Sequence, residues 1–254
     1  MKIKMLCKTL VILSGVVGCA STALAANLVE ISGRNTRFIY DADFWGNGNV
    51  TVDGDSISFS TGNLYSALAH VDLDQEPDYT AETWTTNGTF RGVLAVANDH
   101  YKLNASIGNS IDGQYKVDAG GQLMTYSNGY VSGGSWSGGV YSEESVLGNY
   151  HSQFALNSSA TGAAEGSWNS ASSSSGPAQR YSALALSLGL TGWVQQSGPG
   201  ESSASIQRVT FSFSAFDENL PPVSSVPEPS TYALMLAGLG MLGIASRRKA
   251  GKAA

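Results

Sequence analysis

Between residues 27 and 216 the apolar side chains recur at every second position in several places, and no segment there sustains a 3.6-residue repeat. A period of two is the signature of strands with one face buried. Leu184, Leu186, Leu188 and Leu190 alternate with Ala185, Ser187 and Gly189, and Val209, Phe211, Phe213 and Ala215 alternate with Thr210, Ser212 and Ser214. Shorter runs cover Val50 to Val52, Ile57 to Phe59, Val93 to Val96 and Tyr115 to Ala119. Between them stand turn formers: Gly46-Asn47-Gly48-Asn49, Asp53-Gly54-Asp55, Asn87-Gly88 and Asp112-Gly113. Many short strands joined in this way predict an all-β body, an antiparallel β-sandwich of jelly-roll type.

Two stretches lack that alternation. Tyr126 to Tyr141 holds five glycines, and Asn157 to Gln179 is mostly Ser, Ala and Gly. Side chains this small bury little area, so both are expected to be long surface loops on a single domain spanning 26–216. Its polarity comes from Ser, Thr, Asn and Gly, because charged residues are only 13% of the chain against a usual quarter. From Ala26 to Val226, seven Arg or Lys face nineteen Asp or Glu, a net −12. A body so acidic has no basic track for phosphates, which argues against nucleic acid as a partner.

The ends have a different character. Lys2, Lys4 and Lys8 precede a short apolar run from Thr9 to Val17, and Ala23 and Ala25 place small residues at −3 and −1 of a cleavage site. Residues 1–25 thus read as a signal peptide for the Sec machinery. Val16-Val17-Gly18-Cys19 offers a rival, lipobox-like site, although Ala23-Leu24-Ala25 is the cleaner one. Both cysteines, Cys7 and Cys19, lie in this leader, so cleavage after Ala25 leaves a body without disulfides.

At the other end, a Pro- and Ser-containing linker over 217–225 leads to Val226-Pro227-Glu228-Pro229, an apolar stretch from Tyr232 to Ala245, and Arg247-Arg248-Lys249. In order and spacing the segment resembles the PEP-CTERM sorting signal, a region also catalogued as the ice-binding protein C-terminal domain. The resemblance covers about 226–249 and implies exosortase as a partner, with cleavage near the tripeptide and a Gram-negative source rich in exopolysaccharide. It says how a chain is sorted, and the body shows no regular Thr-x-Thr array of the kind ice binding needs. The physics suits the role: the two prolines keep the motif extended. The 18 residues from Pro229 to Ser246 would reach about 27 Å as a helix, just enough to cross the inner membrane. The cationic end stays in the cytoplasm, which leaves the body outside, at the cell surface or beyond.

Catalytic patterns are scarce. Gly134-Ser135-Trp136-Ser137-Gly138 misses the nucleophile-elbow arrangement. His70, His100 and His151 lack metal-ligand spacing, and Glu143-Glu144 would point to opposite faces of a strand. A non-catalytic protein is therefore expected, with a polysaccharide-binding module or polysaccharide hydrolase as the alternative. No cofactor is expected apart from calcium, for which Asp72, Asp74, Glu76 and Asp78 fall on one side of an extended chain; the competing reading is a solvated acidic loop. Trp45, Trp84, Trp136, Trp168 and Trp193 are either core residues or platforms for sugar rings. Trp136 and Trp168 are the favoured platforms, because both fall in the Gly- and Ser-rich stretches.

Overall fold

The structure is a computed structural model that describes residues 27–46, 50–73, 75–85 and 92–219. The chain runs through β1 (Leu28–Ser32), β2 (Thr36–Asp41), α1 (Ala42–Trp45), β3 (Val50–Asp53), β4 (Ser56–Val71), β5 (Asp78–Thr85), β6 (Val93–Ala97) and β7 (Tyr101–Val117). It continues through β8 (Gly121–Ser137), β9 (Val140–Asn157), α2 (Ser158–Thr161), β10 (Ala164–Tyr181), β11 (Ala183–Leu186), β12 (Gly189–Gln196) and β13 (Gly200–Asp217). One sheet is ordered β1-β2-β6-β11-β8-β12-β5, with β9 on the other edge of β8, and the second is ordered β10-β7-β13-β4-β3. All strand pairs are antiparallel. Taken by their long strands, the sheets are β9-β8-β12-β5 and β10-β7-β13-β4, and the chain crosses between them as a jelly roll does.

Alternation dictates what meets between the sheets. Ile57, Phe59, Leu103, Ile111, Leu184, Leu186, Leu190, Val209 and Phe211 are almost wholly buried in one central cluster. Trp45 anchors it: its ring stacks on Phe59 at 3.8 Å and its Nε1 donates to the Gly92 carbonyl at 2.9 Å. The leucine run is two strands rather than one, since β11 and β12 lie end to end along β8 and part at Ser187. There the Tyr150 hydroxyl donates to the Ser187 carbonyl at 2.7 Å, and burial pushes that phenol well above its ordinary pKa.

The Gly- and Ser-rich stretches are not loops, contrary to expectation: the first forms the greater part of β8 and its turn into β9, and the second most of β10, strands of 17 and 18 residues. Small side chains let backbones approach where larger ones would collide. A Cβ on Gly133 would stand 2.6 Å from the ring of Tyr181. In β10 the inward serines find partners across the sandwich, as when Ser152 Oγ donates to Asn109 Oδ1 at 2.8 Å and pairs with Ser172 Oγ at 2.9 Å. Trp168, inward on the same strand, supplies the apolar area that its neighbours lack.

One corner of the sandwich is tied by a carboxylate. Asp55 accepts from the Asn35 backbone N–H at 2.7 Å, from Asn35 Nδ2 at 2.9 Å and from Thr36 Oγ1 at 3.1 Å, joining the β1–β2 turn to the β3–β4 turn. Asp55→Ala is expected to lower stability by about 2 kcal/mol, the scale of hydrogen bonds to a charged group, in urea unfolding followed by tryptophan fluorescence.

Candidate functional site

The outer faces of the two sheets differ in chemistry. On the second sheet, hydroxyls satisfy one another across strands: Ser56 Oγ donates to Ser212 Oγ at 2.9 Å, and Ser58 Oγ and Thr210 Oγ1 are 2.8 Å apart. On the first sheet, the outward positions of β5, β12, β8 and β9 carry rings and amides. In β12, Leu190 and Val194 point into the core, so Thr191, Trp193 and Gln195 must face out.

Register assembles these side chains into rows. Trp193 is paired with Ala81 on one side and Met124 on the other, and Met124 with Ala155. The next row is Thr83, Thr191, Tyr126 and Gln153, and the one before it is Tyr79, Gln195, Gln122 and Asn157. Because alanines flank Trp193 and Met124, the face is hollowed into an open depression of about 670 Å³. Every residue lining it is uncharged.

The rings stand at angles to one another. Tyr79, 58% exposed, meets Trp193 edge-on at 5.7 Å, and Tyr126 lies 5.4 Å from the His151 ring. Along one border runs a ladder of amides: Asn157 Nδ2 to Gln122 Oε1 at 3.5 Å, Gln122 Nε2 to Gln195 Oε1 at 3.4 Å, and Gln195 Nε2 to Ser197 Oγ at 3.5 Å. These bonds are long, and each primary amide retains a second N–H.

The tryptophans divide accordingly. Trp45 and Trp168 are core residues, and each indole N–H is committed inside, that of Trp168 to the Gln114 carbonyl at 3.2 Å. Trp168 also stacks on Phe154 at 5.1 Å and 5°, which rules it out as a sugar platform. Trp168→Ala is expected to cost about 3–5 kcal/mol in denaturant unfolding, the range for deleting a buried aromatic ring. Trp136 leans, half-buried with Tyr141, on a small apolar patch of the first sheet's outer surface formed by Ile39, Leu94, Val96, Ala183 and Ala185. Trp84 occupies the β5 position paired with Leu190. Tyr79 and Tyr126 were missed by sequence reasoning; the usable signal was a tryptophan on the polar side of an alternating strand, Thr191-Gly192-Trp193-Val194-Gln195.

The acidic stretch does not run extended as expected. After β4 the chain turns, with Gln75 N–H donating to the Asp72 carbonyl at 3.3 Å. The Asp72 carboxylate meets His70 Nε2 at 3.0 Å, and that of Asp78 accepts from the His70 backbone N–H at 3.0 Å. Glu76 is exposed between them. Among the described residues no three His, Cys, Asp or Glu side chains converge as a metal site. Asp74 lies outside the described residues, as do Ala23 and Ala25 of the leader, Val226, Pro227, Glu228 and Pro229 of the sorting motif, and Arg247, Arg248 and Lys249 of the basic end.

Comparison with known proteins settles the character of that last segment, since residues 225–249 match the PEP-CTERM protein-sorting motif. This chain carries a PEP-CTERM tail. Such a tail marks a protein for sorting through exosortase and for export toward the cell surface. Among the described residues no helix is long and apolar enough to cross a membrane. No curated protein matches the PEP-CTERM chain. Two solved structures align weakly with it. One is from work on the promiscuous specificity of carbohydrate-binding modules of the β-sandwich superfamily, with a TM-score of 0.23 and 5% identity over 74% of this chain and 97% of the other. The second is from the infectious bursal disease virus Gt strain, with a TM-score of 0.16 and 11% identity over 83% and 61%. At these scores neither alignment bears on the fold or on what the PEP-CTERM protein binds.

Proposed function

We propose that this protein is a non-catalytic component of the cell surface or extracellular matrix, exported by Sec and sorted by exosortase through its PEP-CTERM tail. The observation that carries the reading is the motif match at 225–249, placed directly after a sandwich whose last strand ends at Asp217. In this reading residues 1–25 are removed on export, and the apolar stretch of the tail holds the chain in the inner membrane until exosortase acts. The basic end remains in the cytoplasm and the body faces outward among exopolysaccharide.

A second reading, a polysaccharide-binding module, is favoured by one observation: the aromatic, uncharged depression on the first sheet. A glycosidase would need two carboxylates flanking the scissile bond, and the residues lining this depression include neither Asp nor Glu. The test of the main reading is fractionation of the full chain in an exosortase-containing host and in the same host without exosortase. We expect a shortened chain at the surface or in the medium in the first, and an unshortened, membrane-bound chain in the second. A full-length cytosolic protein in both hosts would refute the proposal.

A further inference from the structure

We propose that the outer face built by β5, β12, β8 and β9 is a binding site for an uncharged polysaccharide chain, with Trp193, Tyr79 and Tyr126 as its platforms. The inference deepens the export reading by giving the body a ligand, and rests on that reading only for where the ligand is met. Three observations carry it.

The first is the state of the rings. Trp45 and Trp168 donate their indole N–H groups to carbonyls within the fold, whereas the Trp193 N–H and the Tyr79 and Tyr126 hydroxyls have no hydrogen-bond partner among the described residues. An aromatic residue with an exposed face and an uncommitted polar edge suits a ligand that is itself apolar on one face and polar at its rim. A pyranose ring, with C–H bonds on its faces and hydroxyls around its edge, is such a ligand.

The second is charge. The body from Ala26 to Val226 carries a net −12, yet Tyr79, Gln122, Met124, Tyr126, Asn157 and Trp193 place no ionisable carboxylate or amine in the depression. An anionic polymer would meet an acidic body with no cation at the site, so the match is to a neutral chain. Hydroxyls of such a chain would be met by the amide ladder of Asn157, Gln122 and Gln195, which offers donors and acceptors side by side without charge.

The third is placement. The depression lies by the β12–β13 end of the sandwich, where Gln196 Oε1 accepts from Ser202 Oγ at 2.6 Å just past Gly200. Strand β13 then runs from Gly200 to Asp217, roughly 55 Å at strand rise, before the chain leaves the sandwich toward its tail. The site and the point of exit toward the tether are therefore at opposite ends. A depression open to the outside and remote from that exit can take a long polymer lying across it.

The experiment is native affinity electrophoresis of the full chain, purified in detergent, through gels containing barley β-glucan, guar galactomannan, alginate or no polysaccharide. We expect retardation by at least one of the two neutral glycans and none by alginate. Trp193→Ala and Tyr79→Ala should each weaken that retardation about tenfold, the scale of one lost aromatic contact, while Trp136→Ala leaves it unchanged. Thermal unfolding of each variant checks the fold, and Tyr79, the most exposed of the rings, decides the matter if Trp193→Ala proves unstable. The proposal is overturned by any of three results: mobility unaffected by both neutral glycans, retardation by alginate alone, or wild-type binding by the Tyr79→Ala variant. Sedimentation showing a dimer that dissociates on Trp193→Ala or Tyr79→Ala would reassign the face to a second copy of the chain. Because binding is measured on isolated protein, a failure here leaves the sorting result standing, and a failure of sorting leaves this one standing.

Discussion

Gly129→Val is expected to cost about 3 kcal/mol or more, which is a large part of the 5–15 kcal/mol that holds a typical domain together. A Cβ at this position in β8 would stand 2.0 Å from the Ser187 carbonyl oxygen and 2.7 Å from the Tyr150 hydroxyl. The obstacle is a backbone atom at the junction of β11 and β12, and it cannot swing aside as a long side chain would. Relief requires β8 to separate from its neighbours, which breaks the hydrogen bond from Tyr150 to Ser187 and leaves the buried phenol without a partner. Gly138→Ala is the useful contrast. It lies in the β8–β9 turn with a φ of 59°, and nothing stands within 4 Å of its added Cβ, so only backbone strain of about 1–2 kcal/mol is expected. Urea unfolding of both variants beside wild type measures the difference. Equal and small effects would mean that the glycine-rich stretch behaves as a loop rather than as the strand described above.

Replacing Pro227, Glu228 and Pro229 together with alanine is expected to abolish processing of the tail, so that the protein accumulates unshortened in the inner membrane. Alanine permits helix where the two prolines forbid it, and the apolar segment that follows would extend upstream through the motif. The substitution also removes Glu228, the one charge in the tripeptide. Intact mass of the membrane-bound and released fractions reads the outcome directly. A released chain of wild-type mass would show that recognition lies elsewhere in residues 225–249. The same variant should retain its neutral-glycan retardation, since the depression is built from residues 79 to 193.

How much of this was legible beforehand depends on the kind of information a residue carries. The β class followed from Leu184 to Leu190 and Val209 to Ala215, because a period of two is a local property and every second side chain must turn inward if a sheet forms at all. In the glycine-rich part of β8 and in β10, local signals misled. Gly129, Gly133, Ser172 and Ser174 look like loop residues in isolation, and only the approach of Ser187, Tyr181, Ser152 and Asn109 from elsewhere in the chain makes small side chains the right ones for a strand. The tryptophans teach the same lesson: Trp168 seemed exposed because serines surround it in sequence, while Phe154 covers it in space.

The sequence alone determined the address and the class. The sorting tail is a contiguous motif of two prolines, an apolar run and a basic end, all within one short stretch, and strand periodicity is equally local. Tertiary structure alone decided the candidate site, since Tyr79, Gln122, Tyr126, Asn157 and Trp193 come from four strands that share a face only through antiparallel register. Register is set by which side chains must be buried across the whole sandwich, and no single strand encodes that choice.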